Sequence, residues 1–159
     1  MAKRIPLTRG KYALVDEADY DRLMQHKWFL SHTGYAIRRV WDGRKNTTEH
    51  MHRTVIGESC EGFDVDHING NTLDNRRCNL RVATRSQNMA NTGPHVDGSG
   101  YKGVTYDKRR NRYFARICQN YKTHFLGYYA TAEEAAEAYN QAAVNAFGEY
   151  SRLNKIKER

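Results

Sequence analysis

The stretch that most constrains the fold lies between residues 65 and 91, where acidic, imidazole, amide and guanidinium side chains are unusually frequent. Asp66 and His67 stand side by side. Amides and guanidiniums follow them at Asn71, Asn75, Asn79, Asn88, Arg76, Arg77, Arg81 and Arg85. Such a composition is typical of a metal-and-base site and not of a hydrophobic core.

The same stretch predicts a strand, a loop, a second strand and a helix. Residues 64–68 read as a short strand, and Asn69-Gly70-Asn71 read as a turn. Residues 80–83 form the second strand. The helix starts at Ser86, with Thr84 or Ser86 as its N-cap. The pattern therefore predicts a ββα unit.

These residue types suit the hydrolysis of a phosphodiester. A water must lose a proton and attack in line, while a hard cation such as Mg²⁺, held by carboxylate and amide oxygens, neutralises the leaving oxygen. An imidazole with a pKa of about 6.5 accepts that proton once a hydrogen bond sets its tautomer. Neighbours in a strand point to opposite faces, so Asp66 and His67 share a target only where the strand ends or bulges. The alternative is a surface pair followed by turn asparagines.

The stretch resembles the HNH endonucleases, specifically the phage-type homing nucleases in which asparagine replaces the last histidine. In that subgroup a D-H pair is followed by asparagines thirteen and twenty-two residues after the Asp, which here are Asn79 and Asn88. The apolar and basic residues 51–57 resemble the lead-in of the same family. The resemblance implies that Asp66 and Asn88 hold one divalent metal, most simply Mg²⁺ with Mn²⁺ as an alternative. It also implies that His67 is the general base and that Asn79 fixes the loop that orients His67.

The arginines near this pair are expected to bind the phosphates that flank the cut. Arginine forms paired, charge-assisted hydrogen bonds with phosphate oxygens. The expected clamps are Arg76, Arg77, Arg81 and Arg85.

Composition limits the kinds of partner and the cellular compartment to be expected. With 159 residues the chain suits one ordinary domain or two small ones. A net charge of +8 and a pI near 9.5 favour a polyanion as partner, without separating nucleic acid from a membrane surface. Because the chain lacks a long apolar run and an apolar signal core, we expect no membrane partner. The expected compartment is the cytoplasm of a bacterial or phage-infected cell.

The cysteines predict neither a zinc site nor a disulfide framework. Cys60, Cys78 and Cys118 are odd in number and include no C-x-x-C pair. Paired cysteines would be needed for the structural zinc that some HNH nucleases carry.

The residues before the D-H pair predict a small mixed structure. Residues 5–15 read as a hairpin, and Asp16 reads as the N-cap of a helix that reaches His26, with Tyr20, Leu23 and Met24 on its apolar face. Residues 28–30 and 35–37 read as short strands. The pattern favours Trp28 and Trp41 as core or semi-buried anchors, and His52 as a packing residue or a phosphate contact.

The C-terminal third predicts three strands and one helix. Residues 92–100 lack apolar periodicity and read as a linker. Residues 101–107, 112–118 and 122–128 read as strands. The helix over residues 131–147 starts with a capping box, Thr131 with Glu134, and stops at Gly148. Its expected inner face is Ala135, Ala138, Tyr139, Ala142 and Ala146.

Charge indicates which side of this unit meets a polyanion. Basic residues dominate from 102 to 122, whereas the helix offers only glutamates. We expect the sheet to face DNA, since a small twisted sheet fits the major groove. In the middle strand Tyr113, Ala115 and Ile117 would pack on the helix, and Arg112, Phe114, Arg116 and Cys118 would face DNA.

This unit resembles the apetala-two/ethylene-response-factor domain. The matching motifs are Y-K-G-V at 101–104, Y-F-A-R-I at 113–117, F-L-G at 125–127 and T-A-E-E-A-A-E-A-Y-N-Q-A-A at 131–143. From the charge pattern we expect Lys102, Arg112, Arg116 and Lys122 to contact phosphates or bases, with Phe125 against thymine methyls; for each of these residues the alternative is a solvated surface position. Thr105, Cys118 and Thr123 stand where plant members commonly present base-reading arginines, so no target sequence follows.

The sequence thus predicts an α+β protein: a ββα-metal HNH module followed by a three-stranded antiparallel sheet packed on one helix. The expected domains are residues 1–91, with a ββα core at about 64–91, and residues 101–154. The expected function is metal-dependent homing-type cleavage of double-stranded DNA. The alternative is a non-catalytic, sequence-specific DNA-binding regulator; an RNA-directed nuclease lacks a supporting motif. Oligomeric state stays open, with a monomer as the working expectation.

Overall fold

The computed structural model describes residues 1–93 and 99–156. The chain forms two compact units, Met1–Thr84 and Arg85–Arg159. Helices combine with small antiparallel sheets, which confirms the α+β class. The predicted linker, residues 92–100, lies partly outside the described residues.

The first unit begins with the predicted hairpin and helix. Strand β1 (Ala2–Pro6) pairs antiparallel with β2 (Tyr12–Asp16), and α1 (Glu17–Met24) follows directly. Leu23 is fully buried beneath this hairpin, as its place in the apolar pattern predicts. Met24 is 42% exposed, so its assignment to the apolar face was wrong.

A second sheet follows in the order β3 (Phe29–Leu30), β4 (Ala36–Trp41) and β5 (Asn46–His50), and α2 (Met51–Ile56) comes directly after it. Both strand pairs are antiparallel. The sheet and α2 therefore bring His50 to the junction between a strand and a helix.

The two tryptophans differ. Trp28 is buried, and its indole N–H donates to the Leu23 carbonyl at 2.8 Å, as a buried indole requires. Trp41 is 62% exposed, which corrects the prediction that it is a core or semi-buried anchor. It pairs with Asn46 next to the turn of the β4–β5 hairpin, which residues 42–45 form.

The predicted strand–loop–strand is present as β6 (Asp64–His67) and β7 (Leu80–Ala83), paired antiparallel. Val65 and Leu80 point into the core of the first unit. That core gathers residues from every part of the unit: Ile5, Leu7, Ala13, Val15, Leu23, Trp28, Ala36, Met51, Val55, Cys60, Val65 and Leu80. The hairpin that carries Asp66 and His67 is thereby anchored to the rest of the first unit.

The second unit contains α3 (Arg85–Ala90), β8 (Val104–Asp107), β9 (Arg112–Gln119), β10 (Lys122–Tyr129) and α4 (Ala132–Phe147). The sheet order is β10-β9-β8, with antiparallel pairs. Its middle strand buries Ala115 and Ile117 against α4, as predicted. The three-stranded sheet packed on one helix is therefore confirmed.

Details of α4 confirm some predictions and correct others. Thr131 and Glu134 form the predicted capping box. The buried face is Ala135, Ala136, Tyr139, Ala143 and Phe147, whereas Ala138, Ala142 and Ala146 are only partly buried. Strand β8 starts later than predicted because the chain turns at Gly103, whose φ is +74° and where a Cβ would lie 2.1 Å from Tyr139 Cδ2. The glycine of the Y-K-G-V motif is thus required by the packing of Tyr139.

None of the helices among residues 1–93 and 99–156 combines the length and apolar character needed to cross a bilayer.

Asp19 is the main buried acid of α1. It is 3% exposed, and its carboxylate accepts hydrogen bonds from Arg22 and Arg77 at 2.6 to 3.2 Å. Burial is the largest single influence and opposes ionisation, but the two guanidiniums together outweigh it and lower the pKa of Asp19 below 3.8. The charged carboxylate is therefore a stabilising group in this unit.

We predict that Asp19→Asn lowers the free energy of unfolding by about 1–2 kcal/mol at pH 7, because its ion pairs with two partly exposed arginines weaken. The pKa of Asp19 is lower in the folded protein than the value of about 3.9 in the unfolded chain. Ionised Asp19 therefore stabilises the fold above that value, and this stabilisation is lost as the pH falls through the folded pKa. Urea unfolding should show a difference in the free energy of unfolding between wild type and Asp19→Asn at pH 7, and a smaller difference in acid. Asp21→Asn, at an exposed position of α1, is the control. Equal stabilities at pH 7, or a gap that persists in acid, would contradict this.

Candidate active site

The β6–β7 hairpin places Asp66 and His67 at the last two positions of a strand. Asp66 pairs with Arg81 and His67 with Leu80 across the hairpin, and both polar side chains are 4% exposed. The strand ends at His67, whose carbonyl accepts the N–H of Gly70 at 2.8 Å. Both residues keep regular pairs in the ladder, so the convergence of their side chains on one phosphate stays a prediction.

Arg81 holds the carboxylate of Asp66. Its Nε and a terminal nitrogen both lie 2.8 Å from Asp66 Oδ2, and its side chain is only 12% exposed. A buried carboxylate needs such a partner to stay charged. Arg81 therefore orients Asp66, a contact that the sequence did not predict, and its expected contact with phosphate stays a prediction.

Asn75 contacts the ring of His67. Its Oδ1 lies 3.3 Å from His67 Nε2, and Asn75 is 1% exposed. An amide oxygen can only accept, so Nε2 carries the proton and Nδ1 is the basic nitrogen. Burial lowers the pKa of His67 below 6.5, against the opposing effects of Asn75, Asp66 and Asp74. The ring is therefore neutral at pH 7, as a general base must be.

Two rings contact His67 in the first unit: the ring centroid of Tyr35 lies 5.9 Å and that of His52 5.1 Å from the centroid of His67. The ring of His50 lies 5.2 Å from that of His52 and is tilted by 36° against it. Burial, with smaller contributions from His67 and His50, lowers the pKa of His52 to about 3. Of the two roles expected for His52, the geometry favours packing, because its neutral ring lies against the imidazole of His67.

Asn79 fixes the loop between β6 and β7. Its Oδ1 accepts the backbone N–H of Asn69 at 3.0 Å, and its Nδ2 donates to the Asp74 carbonyl at 2.8 Å. The loop is also tied to β2, because Leu14 N–H donates to Leu73 and Asn75 N–H donates to Leu14, both at 2.8 Å. These bonds are of the kind expected from a residue that aims His67, although a catalytic role for Asn79 stays a prediction.

One buried donor in this loop stands out. Among the described residues, Asn75 Nδ2 is buried and has no hydrogen-bond partner. Leaving a buried donor unsatisfied costs about 1–3 kcal/mol. The unsatisfied donor belongs to Asn75, whose amide oxygen contacts His67. Unsatisfied buried groups of this kind are typical of functional sites.

Two other predicted phosphate clamps are engaged by acids of the first unit. Arg76 donates from Nε and a terminal nitrogen to Asp74, both at 2.7 Å, and Arg77 binds Asp19. Their side chains are 36% and 53% exposed, so each keeps surface that phosphate can reach. Phosphate binding by both residues stays a prediction.

Asn88 and Arg85 lie on α3, in the second unit. The joint binding of a cation by Asn88 and Asp66 therefore stays a prediction. Within the part of the chain that the structure describes, no three His, Cys, Asp or Glu side chains are grouped to hold a metal. The proposed donor set contains one acid and one amide, both hard oxygen donors of the type that Mg²⁺ accepts while keeping several waters. The donor chemistry thus fits a hydrated divalent cation.

The exposed face of the second unit's sheet is basic and aromatic. Arg112, Arg116 and Lys122 are exposed, and Phe125 is 59% exposed. Arg116 lies over the ring of Phe114, with its guanidinium carbon 5.9 Å from the centroid. Arg112, Arg116 and Phe125 lie opposite α4, on the face predicted to meet DNA. Lys122 pairs with Gln119, which contacts α4, so Lys122 is exposed at the start of β10 but does not belong to that face.

Lys102 has a different environment. Its ammonium donates to the carbonyls of Met89, Ala90 and Thr92. Burial, with a smaller contribution from Arg152, lowers its pKa to about 8. We therefore leave Lys102 out of the proposed DNA interface.

Two family patterns match this chain in the predicted order: HNH endonuclease at residues 50–90 and AP2 domain at residues 99–149. The chain is 31% identical, over 150 residues, to an uncharacterized HNH endonuclease of Acanthamoeba polyphaga mimivirus; the match covers 93% of this chain and 77% of that protein. The chain belongs to the HNH endonuclease family, and both resemblances are confirmed.

A second relative is Protein 3.8 of Escherichia phage T7, 34% identical over 65 residues. That match covers 40% of this chain and 54% of the phage protein. The family matches support a nuclease and imply DNA as its partner.

We predict that the imidazole of His67 is protonated at Nε2 in the metal-free protein at pH 7. In ¹⁵N spectra of the histidine rings, Asn75→Ala should move His67 toward a mixture of tautomers because Nε2 loses its acceptor. Unfolding free energy should change by less than about 1 kcal/mol, since the unsatisfied Nδ2 is lost too. Asn71→Ala, at an exposed position of the same loop, is the control. A wild-type ring protonated at Nδ1 would contradict the assignment.

Proposed function

We propose that this protein is a homing-type, metal-dependent endonuclease that cuts double-stranded DNA, with His67 as its general base. The observation that carries the proposal is the buried Asp66–His67 pair at the end of β6, where Asn75 sets the tautomer of His67. A merely structural histidine would need no unsatisfied amide beside it.

The chemistry follows from the side chains. Nδ1 of His67 accepts a proton from water as the water oxygen attacks phosphorus, and the bond from phosphorus to the leaving oxygen breaks. Asp66 and Asn88 hold the divalent cation, Mg²⁺ or Mn²⁺, which when bound neutralises charge on the leaving oxygen. Arg81 holds the Asp66 carboxylate in place through its ion pair. Asn79 keeps the loop after His67 in one conformation.

DNA is held by surfaces on both units. On the first unit the exposed parts of Arg76 and Arg77 are available to phosphates. On the second unit Arg112 and Arg116 on the sheet face opposite α4, together with Lys122 at the start of β10, supply positive charge, and Phe125 supplies an apolar contact. Arg85 of α3 is a further proposed phosphate contact.

A second candidate function is a DNA-binding regulator without nuclease activity. The observation that favours it is the ion pair between Arg81 and Asp66, because a cation would have to share the carboxylate that Arg81 already holds. Supercoiled plasmid separates the two functions. Nicking with Mg²⁺ but not with EDTA selects the nuclease, whereas a mobility shift without cleavage selects the regulator.

We predict that His67→Ala lowers the rate of plasmid cleavage by about 10²–10⁴-fold, the usual contribution of a general base. DNA affinity measured in EDTA should stay within twofold of wild type, because a buried imidazole makes little contact with phosphate. His32→Ala, at an exposed histidine of the same unit, is the control and should cut normally. A fully active His67→Ala protein would refute the assignment.

A further inference from the structure

The ammonium of Lys102 is used within the second unit. Nζ lies 3.2 Å from the Met89 carbonyl, 2.5 Å from that of Ala90 and 2.8 Å from that of Thr92. An ammonium has three N–H donors, so these three carbonyls engage all of them. In the sequence, Lys102 is one basic residue in a basic stretch. In the structure, its ammonium caps the C-terminal end of α3.

Helix α3 needs such a cap. It has six residues, and helices this short are not stable in water without tertiary contacts. Its last carbonyls carry the negative end of the helix dipole and lack partners within the helix. Lys102 supplies positive charge and hydrogen bonds at this end, beside the Thr92 hydroxyl, which donates to the Met89 carbonyl at 2.8 Å.

Other contacts fix α3 on the second unit. At its start, Ser86 Oγ accepts the backbone N–H of Asn120 at 3.1 Å. At its end, the Ala90 carbonyl accepts the N–H of Arg152 at 3.1 Å, and the Ala90 side chain is buried in a cluster with Ile117 and Phe147. Both ends of α3 are therefore held by the unit that contains the AP2 domain.

Asn88 lies between these two anchors. We propose that Lys102 is a positioning residue for Asn88: by capping α3 it sets where the Asn88 amide oxygen stands for cation binding. The inference rests on the proposed function, in which Asn88 is a metal ligand. Mg²⁺ demands near-ideal octahedral geometry, so a small shift of one ligand weakens binding. The second unit then contributes to metal affinity as well as to DNA affinity.

The test is a double-mutant cycle on Mn²⁺ affinity, measured from the paramagnetic resonance signal of free Mn²⁺ with the full chain. The four proteins are wild type, Lys102→Met, Asn88→Ala and the double variant. Lys102→Met should weaken Mn²⁺ binding about tenfold, the lower end of the cost of losing a group that orients a ligand. In the Asn88→Ala background Lys102→Met should weaken Mn²⁺ binding little further, because the ligand that Lys102 positions is already absent.

Controls separate positioning from DNA contact and from unfolding. Lys155→Met removes an exposed charge from the same unit and should leave Mn²⁺ affinity unchanged. Arg116→Met, on the sheet face, should reduce DNA affinity in EDTA and its salt dependence, whereas Lys102→Met should not. If circular dichroism shows that Lys102→Met is unfolded, Lys102→Gln, which keeps an amide donor, takes its place in the cycle.

Three results would overturn the proposal: unchanged Mn²⁺ affinity in the Lys102 variant, an equal loss with and without Asn88, or a reduced salt dependence of DNA binding. If wild type binds no Mn²⁺ and does not cut, the proposed function fails and this inference fails with it. If wild type binds Mn²⁺, Asp66→Asn does not, and Lys102→Met matches wild type, only this inference fails.

Discussion

The first unit depends on one constraint: two polar side chains are buried at the end of a four-residue strand, and each must find a hydrogen-bond partner there. Arg81 meets this need for Asp66 from the facing strand, and Asn75 meets it for His67 from the loop. The hairpin, its loop and the neighbouring rings hold a carboxylate and a neutral imidazole at consecutive, mostly buried positions.

The asparagines of the loop make this arrangement possible. An asparagine side chain offers both an acceptor and donors, so it can bridge backbone groups that no strand or helix satisfies. Asn79 does this between Asn69 and Asp74, and Asp74 in turn binds Asn69 and Arg76. A loop held by so many bonds keeps His67 in one orientation, which a general base requires.

Much of the fold could be predicted from local patterns. The Asn-Gly turn marks the end of β6, and the Thr131–Glu134 box marks the start of α4. Partner choice could not be predicted, because a guanidinium or ammonium in a sequence looks the same whether it meets phosphate, a carboxylate or a helix end. Arg81 and Lys102 are of this kind. Trp41 was misjudged because only tertiary structure shows that it is exposed at the end of β4.

The central claim is that Asp66 and Asn88 hold one divalent cation beside His67. Crystals of the protein with a DNA duplex and Mn²⁺, measured at the manganese absorption edge, locate that ion directly. The account predicts an anomalous peak about 2.1 Å from an oxygen of Asp66 and from the amide oxygen of Asn88. A peak bound elsewhere, with the Asp66 carboxylate contacting only Arg81 and other protein groups, would contradict it.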